Sequence, residues 1–237
     1  MSGDRSPYDA IARLYDPWSA SVTEDVEFYI EEAVAAGGPV VELACGTGRI
    51  SVPVAKAGIC VIGVDASAGM LEVAREYAAA EGVEVDLRLG DLREPPVPER
   101  VLLVLIPFRS LLHMTTEEER LRALRAAREL LLPGGRLVFD VFAPSTEDVE
   151  DTHGRWLERE PGIFERADWD ENERTLTLSV RRGEEASTML LAWLSPPEWR
   201  LLLDRAGFDV AAQWGWFDRR PYAGGEDVVF AAIRRDA

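Results

Sequence analysis

Five short, mostly apolar runs, of which the third is weaker than the others, limit what this chain can fold into. The runs are Pro39 to Ala44, Ile59 to Val64, Glu84 to Leu89, Val101 to Ile106 and Arg136 to Phe142. Apolar runs without polar alternation are typical of strands that helices cover on both faces. Strand–helix alternation with short connections predicts a parallel sheet with right-handed crossovers. We therefore expect a doubly wound α/β fold.

Helix start and stop signals lie between these runs. The segment from Thr23 to Ala36 carries apolar residues at helical spacing and stops at two glycines. Thr116 and Glu119 have capping-box spacing, and we expect that helix to end at Pro133-Gly134-Gly135.

The pattern changes after residue 144. Residues 145–155 are polar and acidic and predict a loop, including the acidic run 147–151. Alternating residues in Ile163 to Trp169 and Thr175 to Val180 predict an antiparallel hairpin, followed by an extended piece from Met189 to Leu194. We expect residues 145–194 to form an inserted antiparallel layer that covers the substrate side.

The last segment returns to helix and strand. Ser195 precedes two prolines and Glu198, which predicts a helix that Gly207 ends. Two strands, Phe208 to Trp214 and Val228 to Ile233, are expected after it. The whole chain, 1–237, is then one domain.

Composition restricts the partners. The 237 residues carry 26 basic and 43 acidic side chains, a net charge of −17 that disfavours nucleic acid and anionic membranes. Two cysteines and two histidines without metal-site spacing predict no metal site and no disulfide framework. No apolar run approaches a membrane span, and no secretory signal is apparent, so we expect a cytoplasmic protein.

Glycines and acids follow successive predicted strands. Gly46-Thr47-Gly48 comes directly after the first strand, where a ligand can approach the backbone. Asp65 ends the second strand and Asp91 follows the third. In open parallel sheets, ligands bind at the carboxyl ends of the strands, and an acid there accepts ribose hydroxyls. The pattern predicts a nucleoside-bearing cofactor at this edge.

Four stretches, ELACGTGR, VDASAGML, GDL and PFRSLLHM, resemble the class I S-adenosylmethionine-dependent methyltransferases over about residues 40–140. The resemblance implies a Rossmann-like, seven-stranded, mostly parallel sheet with Val228 to Ile233 antiparallel. It also implies S-adenosylmethionine as cofactor, S-adenosylhomocysteine as product, and a tyrosine-bearing helical lid within residues 1–36. The cofactor-binding residues implied are Tyr15, Glu42, Ala44, Gly46, Gly48, Arg49, Asp65, Ala66, Met70, Asp91, Leu92, Ile106 and Pro107.

The resemblance also assigns roles within this set. Asp65 holds the ribose, Met70 packs on adenine, and Asp91 accepts from the adenine amine. Gly46 and Gly48 line the methionine portion, beside the backbone near Ile106 and Pro107.

We expect in-line transfer of the methyl group to N or O of a small molecule, by a monomer or homodimer. The protein mainly positions the acceptor, so a general base is needed only for a protonated nucleophile. His113 is the candidate base; alternatively, it caps the next helix or packs beneath the cofactor. Arg109 either binds a substrate carboxylate or forms an ion pair.

Two other functions stay open. The first is a protein that binds S-adenosylmethionine without turnover. The second is an NAD(P)-dependent oxidoreductase, whose fingerprint requires a third glycine where this chain has Ser51. Trp169 and Trp193 are expected to support the inserted layer, and the segment from Trp214 to Tyr222 is open between core and substrate pocket.

Overall fold

The computed structural model describes residues 6–236. Strands in the described chain are β1 Val40–Leu43, β2 Val61–Asp65, β3 Asp86–Leu89, β4 Val101–Ile106, β5 Leu131–Phe142, β6 Trp156–Glu160, β7 Ile163–Asp170, β8 Thr175–Arg182, β9 Glu185–Ala192, β10 Phe208–Trp214 and β11 Asp227–Arg234. Helices are α1 Ala12–Trp18, α2 Glu24–Ala36, α3 Ser51–Lys56, α4 Ala68–Glu81, α5 Glu117–Leu130, α6 Thr146–Thr152 and α7 Pro196–Ala206. Short 3₁₀ helices span Pro7–Ile11 and Ser110–His113.

The main sheet has seven strands in the order β10-β11-β5-β4-β1-β2-β3. Strands β1 to β5 run parallel, with Val40 opposite both Val61 of β2 and Leu103 of β4. Strand β11 is antiparallel to both β5 and β10. The predicted doubly wound, mostly parallel sheet is confirmed, and its antiparallel strand contains the segment Val228 to Ile233.

Helices cover both faces of the main sheet, which explains the continuous apolar runs. All four residues of β1 are buried. On one face, Phe28 and Tyr29 of α2 pack over β1 and β4. On the other face, Trp199 of α7 is fully buried against Phe139 of β5, their ring centroids 5.6 Å apart. The strands are thus the middle layer of three.

The insertion is a complete second sheet rather than a hairpin with one extra piece. Its four antiparallel strands have the order β6-β7-β8-β9. Trp156–Glu160, within a stretch for which no strand is predicted, pairs with β7. The alternating burial of β7 and β8 fits a sheet with one face toward the core.

The predicted loop at 145–155 is wrong, because residues 146–152 form α6. Ser145 Oγ accepts a hydrogen bond from the Asp148 backbone N–H at 3.1 Å, and Asp148 Oδ2 accepts from the Ser145 N–H at 3.0 Å. This capping box uses Asp in place of Glu or Gln. The acidic residues in the first turn also favour the positive end of the helix dipole.

The end of α5 also differs from the prediction. The helix stops at Leu130, and Pro133-Gly134-Gly135 lies inside β5. The pairing of β4 with β5 shifts register there, from Val101 opposite Leu131 to Leu103 opposite Arg136. The glycines therefore form an irregularity in a strand, a known role of glycine besides ending helices.

The N-terminal segment divides into two parts, and its residues 1–5 lie outside the described chain. Residues 7–18 lie against β9 and α4: Ser187 Oγ donates to the Pro7 carbonyl at 2.7 Å, and Gly69 N–H donates to Asp9 at 3.0 Å. We call residues 7–18 the N-terminal lid. Helix α2, by contrast, belongs to the core layer. No helix in residues 6–236 has the length and apolar character needed to cross a bilayer.

Candidate functional site

The turn after β1 forces the backbone into conformations that suit glycine. Ala44, Gly46 and Gly48 have φ of 60°, 55° and 81°. A Cβ on Gly48 would lie 3.1 Å from a methyl carbon of Val52, and one on Gly46 would lie 3.4 Å from Met70. Gly48 thus allows α3 to approach the turn, and Gly46 keeps the turn open on the cavity side.

Asp65 closes this turn from the end of β2. Its carboxylate accepts hydrogen bonds from the backbone N–H groups of Gly46 and Ser67, both at 2.8 Å. Burial raises the pKa of Asp65, and these backbone hydrogen bonds oppose that effect. Ser67 caps α4 by accepting from the Met70 N–H at 3.1 Å. The acid and the glycine turn therefore form one rigid unit.

A cavity of about 300 Å³ opens above this unit, and we call it the cofactor-side cavity. Nine of the predicted site residues line it: Tyr15, Ala44, Gly46, Asp65, Ala66, Met70, Asp91, Leu92 and His113. Eight further lining residues were not predicted: Ser6, Pro7, Tyr8, Gly90, Arg93, Phe108, Ser110 and Met114. The sequence offered Tyr8 as part of the tyrosine-bearing lid, and Gly90, Phe108, Ser110 and Met114 as members of the GDL and PFRSLLHM stretches without assigned roles. Nothing distinguished Ser6, Pro7 and Arg93.

Five predicted residues, Glu42, Gly48, Arg49, Ile106 and Pro107, do not line this cavity. Glu42 is buried behind the turn and accepts from Ser51 Oγ, and burial raises its pKa to about 8. Arg49 forms a buried ion pair with Asp25 and lies 4.6 Å from the centre of the Phe108 ring. These two side chains support the turn from behind.

Asp91 lines the cofactor-side cavity and forms an ion pair with Arg93. Arg93 donates to it from Nε at 2.9 Å and from Nη2 at 2.5 Å, and this pairing lowers the pKa of Asp91. Arg93 also donates to Glu119 at 2.6 Å. The carboxylate is therefore held ionised at the rim, and its contact with an adenine amine stays a prediction.

A second cavity, of about 370 Å³, lies on the other side of the lid residues, and we call it the acceptor-side cavity. The end of β5, helix α6 and the inserted sheet enclose it together with the lid. Its apolar wall consists of Trp18, Val22, Phe142, Ala167, Trp169, Leu176, Leu178 and Leu191. Its charged groups are Arg109, Asp148, Arg159, Glu165, Glu226 and Asp227.

Four of these charged groups form two ion pairs within the wall. Arg109 pairs with Asp227 at 2.7 Å, and Arg159 pairs with Glu165 at 2.9 Å. The structure thus shows the ion-pair alternative for Arg109, whose guanidinium also lies 4.8 Å from the Phe142 ring centre. Trp169 has both a structural contact and a position in the cavity wall: it packs on Trp193 and lines the acceptor-side cavity.

Trp214 and its neighbours belong to the core rather than to a cavity wall. The ring of Trp214 lies 5.7 Å from that of Phe28, and Phe217 lies 5.6 Å from the same ring. Neither Trp214 nor Phe217 lines either cavity. This aromatic group fastens β10 and the turn after it to α2.

Four side chains, Tyr8, Tyr15, Phe108 and His113, line both cavities, and we call this group the junction. Tyr8 Oη and His113 Nε2 are 2.9 Å apart. Burial lowers the pKa of His113 to about 4, so the ring is neutral at physiological pH. Burial and the charge of Asp65 raise the pKa of Tyr8, which therefore keeps its proton. The junction is aromatic and uncharged.

No group of three or more histidine, cysteine, aspartate or glutamate side chains within residues 6–236 is arranged to hold a metal ion.

Comparison with known proteins shows which proteins the chain is similar to. A sequence model described as "Methyltransferase domain" matches residues 40–135. A putative methyltransferase of Geobacillus sp. (strain WCH70) is 31% identical over 129 residues, 54% of this chain and 51% of the relative. The cypemycin N-terminal methyltransferase of Streptomyces sp. is 25% identical over 240 residues, 96% of this chain and 94% of the relative. The chain thus spans about half the length of the first of these relatives.

Solved structures agree with this result. The CcbJ methyltransferase from Streptomyces caelestis has a TM-score of 0.85 and 28% identity, covering 98% of this chain and 99% of its own. The chain thus has the fold of this methyltransferase over nearly its whole length, and the glycine turn and the acid at the end of β2 lie within the residues that match the methyltransferase-domain model. The family model and the similar proteins are those of methyltransferases, as expected for a class I S-adenosylmethionine-dependent enzyme.

Proposed function

We propose that the protein transfers the methyl group of S-adenosylmethionine to a nitrogen or oxygen atom of a small molecule. The observation that carries this proposal is the pair of adjoining cavities with one aromatic junction between them. The cofactor-side cavity would hold S-adenosylmethionine, which supplies an activated methyl group, and the acceptor-side cavity would hold the acceptor, with the junction between them.

The residues of the cofactor-side cavity fit the cofactor's parts. Asp65 is oriented by two backbone donors and offers its remaining lone pairs to a ribose. Met70 lies beside the glycine turn, where it can pack on adenine. When bound, the cofactor supplies a methyl group already activated on a sulfonium. The chain therefore contributes position and exclusion of water rather than a strong base.

The junction residues fit that task. Tyr8, Tyr15 and Phe108 present aromatic rings, whose faces attract a cation such as a sulfonium. His113 is neutral and shares a hydrogen bond with Tyr8, so the junction adds no positive charge to repel the cofactor. His113 would act by positioning the acceptor or by receiving its proton.

The size and lining of the acceptor-side cavity support a small acceptor. Three elements separated in sequence, the N-terminal lid, α6 and the inserted sheet, line a volume of about 370 Å³. That volume is within the range of ordinary small-molecule sites. The net charge of −17 is a further argument against a nucleic-acid substrate. The name of the Streptomyces sp. relative includes an N-terminal methyltransferase activity, so amines come first among candidate acceptors.

The second candidate is a protein that binds the cofactor without transferring its methyl group. The hydrogen bond between Tyr8 and His113 would then serve only to hold the N-terminal lid closed. An oxidoreductase is disfavoured because Ser51 occupies the third glycine position of the dinucleotide fingerprint and is buried against Glu42.

The test has two stages. Thermal unfolding is first measured with S-adenosylhomocysteine, S-adenosylmethionine or reduced nicotinamide dinucleotides; stabilisation by the adenosyl compounds alone is expected. The protein is then incubated with methyl-labelled S-adenosylmethionine and a panel of amines, phenols, carboxylates and sugars, and products are identified by mass spectrometry. Labelling of macromolecules only would contradict the small-molecule proposal. Tight cofactor binding without any labelled product would favour the non-catalytic candidate.

A further inference from the structure

Asp140, near the end of β5, is a buried carboxylate that lines neither cavity. It accepts three hydrogen bonds: from Tyr29 Oη at 2.6 Å, from the Phe108 N–H at 2.7 Å and from the Arg109 N–H at 3.0 Å. Two of its three donors are thus consecutive backbone groups of the turn after β4. Hydrogen bonds to an ionised carboxylate are among the strongest in proteins.

The turn that Asp140 holds is strained. Phe108 and Arg109 have φ of 56° and 60°, two consecutive non-glycine residues in the left-handed region. Such residues persist only where their surroundings compensate for the steric cost. Here the compensation is visible, because the left-handed turn directs both N–H groups at the same carboxylate. Without a hydrogen-bond acceptor at the position of Asp140, nothing would offset the steric cost of this backbone conformation.

The Phe108–Arg109 turn also places the Phe108 ring at the junction. The ring centroid lies 6.1 Å from that of Tyr15, and the Arg49 guanidinium lies 4.6 Å from it on the side of the buried ion pair. Tyr15 itself contacts Tyr8, with centroids 5.8 Å apart. A shift of the turn would therefore move one of the four side chains of the junction.

We propose that Asp140 is a positioning residue for methyl transfer, acting through the Phe108–Arg109 turn to hold the Phe108 ring where the transferred methyl group passes. This inference rests on the proposed function, since it assigns the junction to the methyl group. A carboxylate with a purely structural role would affect both forms of the cofactor alike. A carboxylate that places Phe108 affects chiefly the form that carries the methyl cation, because an aromatic face attracts a cation.

The experiment compares dissociation constants of S-adenosylmethionine and S-adenosylhomocysteine by calorimetry for the wild type and Asp140→Asn. The amide nitrogen of Asn cannot accept a hydrogen bond, so one backbone donor of the turn is left without its partner. We expect the affinity for S-adenosylmethionine to fall about fivefold or more. The affinity for S-adenosylhomocysteine should stay within threefold of the wild type.

Two further variants guard against an unfolded Asp140→Asn protein. Phe108→Leu removes the ring and should lower the affinity for S-adenosylmethionine selectively, as Asp140→Asn does. Tyr29→Phe removes the third donor but leaves both hydrogen bonds of the turn, so we expect a smaller loss of affinity for S-adenosylmethionine. Glu32→Gln is the matched control, since Glu32 is a buried carboxylate of α2 that pairs with Arg136 and lines neither cavity.

The binding results decide the proposal without any acceptor. Equal effects on both ligands, or no effect of Phe108→Leu, would overturn it, whatever the acceptor panel shows. With an acceptor from that panel, Asp140→Asn should lower kcat tenfold or more and change the acceptor KM less than threefold. If the wild type methylates nothing while the binding pattern holds, the proposed catalytic function fails and the placement of Phe108 stands.

Discussion

Tyr8 Oη lies 2.9 Å from His113 Nε2, a hydrogen bond that joins the N-terminal lid to the short helix after β4 across 105 residues of sequence. The two rings also meet edge to face, with centroids 5.4 Å apart. Both residues line both cavities. This one contact therefore connects closure of the lid with the place where the methyl group is expected to pass.

Tyr8→Phe should destabilise the protein and open the lid, because it leaves a buried histidine nitrogen without its hydrogen-bond partner. A loss of about 1–3 kcal/mol in the free energy of unfolding is expected from such an unsatisfied group. Urea unfolding measures it, and limited proteolysis near residue 20 reports the opening. Tyr77→Phe on α4, outside both cavities, is the control. Equal stability of the two variants would contradict a structural role for the contact.

His113 should make the stability depend on pH in a defined range. Its pKa is about 4 in the folded protein, against about 6.5 for an unfolded histidine. Between these values the unfolded chain binds more protons, so this group's contribution to stability rises as pH increases from 4 to 6.5 and is constant above. Its size is on the order of 1 to 3 kcal/mol.

The pH effect is measured as the difference between the wild type and His113→Gln in urea unfolding, from pH 4.5 to 8. Subtraction removes the contributions of the many carboxylates. The difference curve should slope upward below pH 6.5 and be flat above it. A difference curve that is flat over the whole range would show that the ring is protonated equally in both states.

Asp65→Ala should weaken S-adenosylmethionine by about 1.5–3 kcal/mol, the value of hydrogen bonds to a charged group. The turn loses its anchor as well, since Gly46 donates to this carboxylate. Calorimetry gives the affinity, and Asp86→Ala, at an exposed acid of β3 outside both cavities, should bind normally. Unchanged affinity in Asp65→Ala would mean that the ribose lies elsewhere.

Gly48→Ala tests the turn itself. The residue has φ of 81°, and the added Cβ would lie 3.1 Å from Val52. A left-handed non-glycine residue costs about 1–2 kcal/mol, and the contact adds to that. Gly38→Ala is the matched control, since Gly38 lacks a positive φ and its Cβ would meet nothing within 4 Å. Thermal unfolding should separate the two variants clearly, and a Gly48→Ala protein as stable as Gly38→Ala would refute the argument.

Local patterns predicted much of the fold and part of the site. Mostly apolar runs marked four of the five parallel strands and a weaker run marked β3, and Asp65 was recognised because it ends a strand at the right distance from Gly48. Strand β6, Trp156–Glu160, was not predicted, because most of its side chains are polar or half exposed and it has no apolar face. Helix α6 was missed because its capping box uses Asp and its residues are acidic.

Asp140 carried no sequence signal, and Phe108 stood in the PFRSLLHM stretch without a role of its own. Asp140 sits within an apolar strand, and its three donors come from α2 and from the turn after β4. Glu42 and Arg49 lie within the glycine motif but line no cavity, because Glu42 is a buried residue of β1 that accepts from Ser51, and Arg49 pairs with Asp25 of α2. Tertiary placement alone separates residues that line a cavity from those that support its wall.

The sequence by itself determined the parallel sheet, the glycine turn and the acid that follows β2, because these depend on contacts between near neighbours and on strand ends that meet at one edge. Only the tertiary structure decided that the N-terminal lid meets His113, that four strands close the acceptor-side cavity, and that Asp140 holds Phe108. Each of these contacts joins segments between about 30 and 180 residues apart. Such pairings are selected by the burial and hydrogen bonding of the whole chain, which no local pattern encodes.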